Sequence, residues 1–181
     1  MHRPSVAAAR TLVWTLALAP IVPTLAETPP AGTAELRVLA GPDAVRVELQ
    51  APAATLLGFE GKPRTPEQRA TLALAAENLK TGDGLVRFNT QAYCRLEDAR
   101  IDADPKAAKG RGADLGASYR FVCDQPQALT SAAVAIFMGF PAVERVRVRY
   151  STAAGQGEAL LTPRNPVVSF VPLGQPPAPA P

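Results

Sequence analysis

The sequence predicts an α+β fold: mostly antiparallel β-sheet, with one clear amphipathic helix from Pro66 to Lys80 packed on one face. Three observations carry this expectation. Short segments such as "VRVELQA" and "VRVRY" alternate apolar and polar residues, the pattern of strands with one buried and one wet face. Only one stretch combines a helix start signal with an apolar stripe at helical spacing. Clusters of Gly, Pro and Asp separate the segments at short intervals, as turns between sheet elements do.

The chain opens on a segment that stands apart from the fold. Arg3 and Arg10 give a positive start, Thr11 to Ala19 a short apolar run, and Thr24-Leu25-Ala26 the small-residue ending that signal peptidase accepts. Pro20 and Pro23 break the apolar run, which leaves it too short to span a bilayer. Residues 1–26 therefore read as a signal peptide, and the protein as exported and not membrane-spanning after cleavage. Residues 27–32 read as a Pro-rich entry, 33–172 as a single domain, and 173–181 as a disordered, polyproline-like tail.

Within the domain, "AELRVL" and "DAVRVELQA" flank the turn "AGPD" and read as a hairpin, with Val45, Val47 and Leu49 on its buried face. The stretch "LLGFEGKPRTPEQR" then turns the chain from strand to helix. Gly58 and Gly61 supply positive φ at that corner, and Phe59 fills the gap between sheet and helix. Thr65 is the N-cap, Pro66 follows at the first helical position, and Gln68 completes a capping box. Leu72, Ala75, Ala76 and Leu79 form the apolar stripe, and Gly82 stops the helix.

Leu85 to Phe88 reads as a short strand. Tyr93–Asp102 and Asp114–Asp124 read as a second hairpin, with Leu115, Ala117, Tyr119, Phe121 and Cys123 on one face. Ala133, Ala135 and Phe137 point to a further strand, and "GFPAVE" to a corner with one helical turn. Val146, Val148 and Tyr150 form a strand whose other face carries Arg145, Arg147 and Arg149. "GQGEALLT" and "NPVVSFV" close the domain. "RVELQAPAATLLGFE" and "SAAVAIFMGFPAVE" share an outline, each ending a strand with Gly-Phe, which points to a weak internal ββα duplication.

Composition narrows the chemistry. The chain has 19 Lys and Arg against 16 Asp and Glu; without Arg3 and Arg10 the balance is 17 against 16, a net charge of +1. A basic footprint for nucleic acid is therefore absent. The only histidine is His2 and the only tryptophan Trp14, both within the signal segment. Cys94 and Cys123 fall opposite each other if the second hairpin turns near Ala108 and Lys109, and in an exported chain they read as a disulfide rather than a reactive thiol pair. Without a domain histidine or a free thiol there is little acid–base or nucleophilic equipment, so the chain reads as no enzyme. The row Arg145, Arg147, Arg149 reads either as a surface for an acidic partner or as an ordinary solvated strand face.

Several stretches carry a resemblance. "AELRVLAGPDAVRVELQAPAATLLGFEGKPRT", "RGADLGASYRFVC" and "AIFMGFPAVERVRVRY…GQGEALLTP" resemble the ZrgA-like zinc-uptake proteins of the bacterial periplasm, in the same order and over about Gly32 to Val171. The resemblance implies a periplasmic protein that binds zinc through histidine-rich stretches and assists zinc acquisition. It also implies zinc as the ion bound, and a zinc transporter component or another periplasmic protein as partner. The expected His-x-His-Gly before the first strand reads Pro29 and Ala31 ahead of Gly32 here, and the expected Phe-Glu-His at the corner has Gly61 after Glu60. The expected His-x-Asp reads Gly112-Ala113-Asp114, and the histidine-rich insertion shrinks to the loop around Pro105 to Gly110.

The oxygen donors left to a metal are Glu60, Asp114, Asp102 and Asp104, a set that suits harder ions than zinc. Asp102 and Asp104 also have the plainer reading of solvating a turn before Pro105. The metal reading is thus of weak or absent binding, and the alternative is a metal-free periplasmic protein-interaction domain.

Overall fold

The computed structural model describes residues 30–102 and 114–171. The signal peptide expected on residues 1–26, the tail expected on 173–181 and the turn expected between the cysteine strands, with Asp104, lie outside the described residues. The α+β expectation holds, in the form of two sheets. Nine strands are present among the described residues: β1 (Thr33–Ala40), β2 (Val45–Pro52), β3 (Val86–Phe88), β4 (Cys94–Asp102), β5 (Asp114–Cys123), β6 (Ser131–Val134), β7 (Arg145–Thr152), β8 (Gly155–Leu161) and β9 (Val167–Ser169). The helices are α1 (Ala53–Leu57), α2 (Pro66–Lys80), α3 (Gly82–Leu85) and α4 (Ile136–Gly139).

Six strands form the main sheet in the order β4-β5-β2-β1-β7-β8, and three form a smaller one in the order β3-β6-β9. All pairs are antiparallel except β1 with β7. The parallel pair is possible because most of the domain lies between those two strands and supplies the crossover. Alternation puts Leu36, Val38, Val45, Val47, Leu49, Val146 and Val148 on the inner face of the main sheet, each at most 3% exposed. Leu115, Ala117, Tyr119, Phe121 and Cys123 continue that face on β5, as their spacing predicts.

The second layer is made of the small sheet and the helices. Phe88 of β3 meets Phe121 of β5 edge to face at 5.1 Å, and Tyr150 of β7 meets the fully buried Phe170 at 5.1 Å. Such aromatic pairs contribute about 0.5–1.5 kcal/mol beyond the area they bury. α2 starts on the expected capping box, Thr65 and Gln68 bonding reciprocally, and turns Ala75 and Leu79 into the core. Burying Leu79 completely stabilises by about 1.5–3 kcal/mol. The Tyr119 hydroxyl donates to the Leu79 carbonyl at 2.8 Å, satisfying one of the carbonyls that the end of α2 leaves open.

Two expectations need correction. The helix ends at Lys80 as its stop signal requires, but Gly82 is not among the positive-φ glycines. It is a close-approach glycine: a Cβ there would lie 2.3 Å from Cδ1 of Tyr119. The strand expected on Ala133, Ala135 and Phe137 is one residue out of phase and too long. Ala132 and Val134 are the buried residues of β6, and the chain then winds into α4 from Ile136. A run of small residues gives the alternation little contrast, so its phase is poorly marked. The proposed duplication survives only as an outline, strand, helical turn, Gly-Phe; β2 sits inside the main sheet and β6 in the small one.

Candidate functional site

The corner "GFEGKP" is built on α1. The helix ends at Gly58 in the left-handed conformation (φ 76°), its N–H donating to the Ala54 carbonyl, and Gly61 repeats that conformation at φ 72°. Both are the backbone devices the sequence implies, and neither has another group within 4 Å of where a Cβ would stand. Phe59 is half-buried against the core, while Glu60 is exposed.

Two further stretches of chain meet α1. The Gly32 N–H donates to Oγ1 of Thr55 at 3.2 Å, tying the entry of β1 to the middle of the helix. Thr55 is buried, so this bond also satisfies a hydroxyl that burial would otherwise leave costly. The Gly32 carbonyl accepts from the N–H groups of Glu144 (2.8 Å) and Arg145 (3.1 Å), which fixes the same point to the start of β7. On the other side, Asp114 at the start of β5 is the ladder partner of Pro52, the residue before α1. Asp102, exposed at the end of β4, pairs with Gly116, two residues further along β5.

Of the four residues expected to serve a metal, Glu60 follows α1 in the chain, Asp114 is laddered to the residue before α1, Asp102 lies toward the same end of the sheet, and Asp104 is outside the described residues. Among the described residues no group of three or more His, Cys, Asp or Glu is arranged to hold a metal ion. Cys94 and Cys123 are directly opposite in register and form a disulfide. Closing a loop of this length contributes about 3–4 kcal/mol in the chain-entropy view.

The arginine row of β7 is engaged with the chain's own carboxylates. Arg149 lies 3.0 Å from Glu158 of β8 and 3.7 Å from Glu35 of β1, and Arg147 reaches the same two at 3.5 and 4.0 Å. Arg145 lies 3.8 Å from Glu144. The hydrogen bond that Arg149 donates to the Glu158 carboxylate, with the charges of Glu35 and Glu158, pushes its guanidinium further up from its already high range. Glu35 and Glu158 are residues that sequence reasoning missed. Their alternation was visible, but only the register of β1, β7 and β8 puts them beside the arginines.

Residues 29–170 match the family model described as ZrgA family zinc uptake protein. The chain belongs to the ZrgA family. A comparison with the curated proteins found no match. For a ZrgA family member the stretches around α1 acquire a particular interest. The entry before β1 and the corner after α1 carry no histidine: they read Ala31 and Gly61. Zinc is held tightly by nitrogen and sulfur donors. Here both cysteines are joined in a disulfide, and the metal-ligating type of residue that follows α1 is the exposed carboxylate Glu60. That donor set does not fit a tight zinc site. Among the described residues no helix is long and apolar enough to cross a membrane.

Proposed function

We propose that this protein is an exported, periplasmic member of the ZrgA family that keeps the scaffold of a zinc-uptake protein but binds zinc weakly or not at all. It acts without catalysis, in association with a zinc transporter component or another periplasmic protein. The observation that carries the reading is that the entry before β1 and the start of β5 both meet α1, while Ala31 and Gly61 stand where the resemblance calls for histidine. The signal segment supports export, and the single disulfide suits an oxidising compartment.

The test is a thermal-melt series on the purified protein, starting after Ala26, freed of metal and carrying no histidine tag. Zinc, calcium and buffer alone are compared from micromolar to millimolar concentration. An ion present at about a hundred times its Kd stabilises by about 2.7 kcal/mol, a readily measured shift in Tm. The expected result is no saturable shift with micromolar zinc. A saturable zinc shift in that range would overturn the reading and show that carboxylates suffice to build a site. The alternative, a metal-free interaction domain, is favoured by a different part of the surface.

A further inference from the structure

The outer face of the main sheet is a grid of charges that is almost completely self-neutralised. Arg37 lies 3.3 Å from Glu48, Arg95 2.8 Å from Asp124 and Arg100 3.1 Å from Asp98. Arg120 is bonded to Glu97, and the three arginines of β7 lie within 4.0 Å of Glu35, Glu144 or Glu158. Arg46 of β2 is the exception. Among the described residues no carboxylate pairs with it, and its partner directly across the ladder is another arginine, Arg120. Like charges directly opposite on antiparallel strands repel and destabilise the sheet.

Arg46 and Arg120 line a surface groove with Leu39, Ser151 and the β1–β2 turn at Gly41, Pro42 and Asp43. Arg120, Arg46, Leu39 and Ser151 stand in one row across β5, β2, β1 and β7. Leu39 is 41% exposed, unusual for a leucine in a grid of charges. Of the carboxylates nearby, Asp98 is held by Arg100 and Glu97 by Arg120, and Asp43 at the turn pairs with neither arginine.

From this arrangement we infer that the groove is a docking site for an acidic segment of a protein partner. A carboxylate beside Arg46 supplies the counter-charge that no described residue gives it, since Arg120 is already bonded to Glu97, and meets a donor whose fork geometry suits it. An apolar side chain next to that carboxylate covers Leu39, and the Ser151 hydroxyl can donate to the segment's backbone. Three strand spacings separate the ends of the row, about 14 Å, which an extended segment of about four residues spans. The site thus matches a short stretch of alternating acidic and apolar residues. It stands apart from α1, so it holds whichever way the zinc titration comes out.

The experiment uses the whole exported domain and a fluorescein-labelled Glu-Leu-Glu-Leu peptide, followed by anisotropy at an ionic strength of about 0.01 M, where surface charges are least screened. Saturable binding is expected, with the peptide Lys-Leu-Lys-Leu inert. Arg46→Gln should weaken binding about tenfold, while Arg37→Gln, at a paired arginine, should leave it unchanged. Arg46→Gln should also melt at or above the wild-type midpoint, since it removes a like-charge pair. Absence of saturable binding would overturn the proposal, as would equal losses in the two variants. Displacement of the peptide by equimolar acetate or inorganic phosphate would reduce the groove to a simple anion site and overturn it too. A lowered midpoint in Arg46→Gln would assign that arginine to the fold instead.

Discussion

Gly82 carries a constraint that its own backbone does not reveal. It opens α3 directly under the ring of Tyr119, where a methyl group would lie 2.3 Å from Cδ1 and 2.6 Å from Cε1. No van der Waals contact is that short, so the Tyr119 ring or the start of α3 has to move. Gly82→Ala is therefore expected to destabilise by about 1–3 kcal/mol, the usual cost of overpacking a filled interior. Urea unfolding of the variant measures it. The same substitution in a Tyr119→Leu background should be nearly neutral, and an equal penalty there would disprove the steric account. Gly61 is the opposite case. It is there for its φ, with open space where a side chain would stand. Two glycines on either side of α2 thus look alike in the sequence and answer to different physics.

Tyr119 links two elements, since its ring packs under α3 while its hydroxyl caps the last turn of α2 at Leu79. Burial pushes the phenol up from its usual range, because the phenolate would be desolvated. The folded state therefore holds the proton more tightly than the unfolded chain. The contribution is fully present below the ordinary tyrosine value of about 10 and is lost as pH rises beyond it. Tyr119→Phe should be less stable at neutral pH by about 1 kcal/mol, the net worth of the lost hydrogen bond. It should also lose less stability than wild type above pH of about 10. Denaturant unfolding of both proteins on either side of that pH checks the sign, and parallel declines would remove Tyr119 from the account. The elements that hold such contacts were unequally legible. The capping box of α2, the β1–β2 hairpin and the pairing of Cys94 with Cys123 rest on local rules, and they were readable in order. β6 was misphased because Ala132 to Ala135 offer almost no polarity contrast. The parallel pairing of β1 with β7, and with it the placing of Glu35 beside Arg147 and Arg149, depends on contacts across most of the chain. No window of sequence contains that information.

At the scale of the whole molecule, the fold brings two distant parts of the chain, near positions 31 and 114, to the short helix that position 60 closely follows. Gly32 is bonded to Thr55, Asp114 is laddered to Pro52, and Gly61 follows the end of α1. A scaffold that gathers these positions should accept a metal once donors of the right kind are placed at them. Ala31 is exposed, and Gly61 has nothing within 4 Å of its missing side chain. Histidine is among the residues that tolerate the left-handed conformation best, at a cost of about 1–2 kcal/mol. The double variant Ala31→His/Gly61→His is therefore expected to fold with a modestly lowered Tm in the absence of metal. With Glu60 beside Gly61 it offers two nitrogen donors and an oxygen donor, types that zinc accepts. Saturating zinc should then raise its midpoint, by the equivalent of about 2.7 kcal/mol at a hundred times Kd. Each single variant should respond less, and the wild type should stay flat. A double variant that unfolds cooperatively yet ignores zinc would mean that meeting the same helix does not bring these positions within reach of one ion. Geometry, as well as the absence of imidazoles, would then keep zinc from α1.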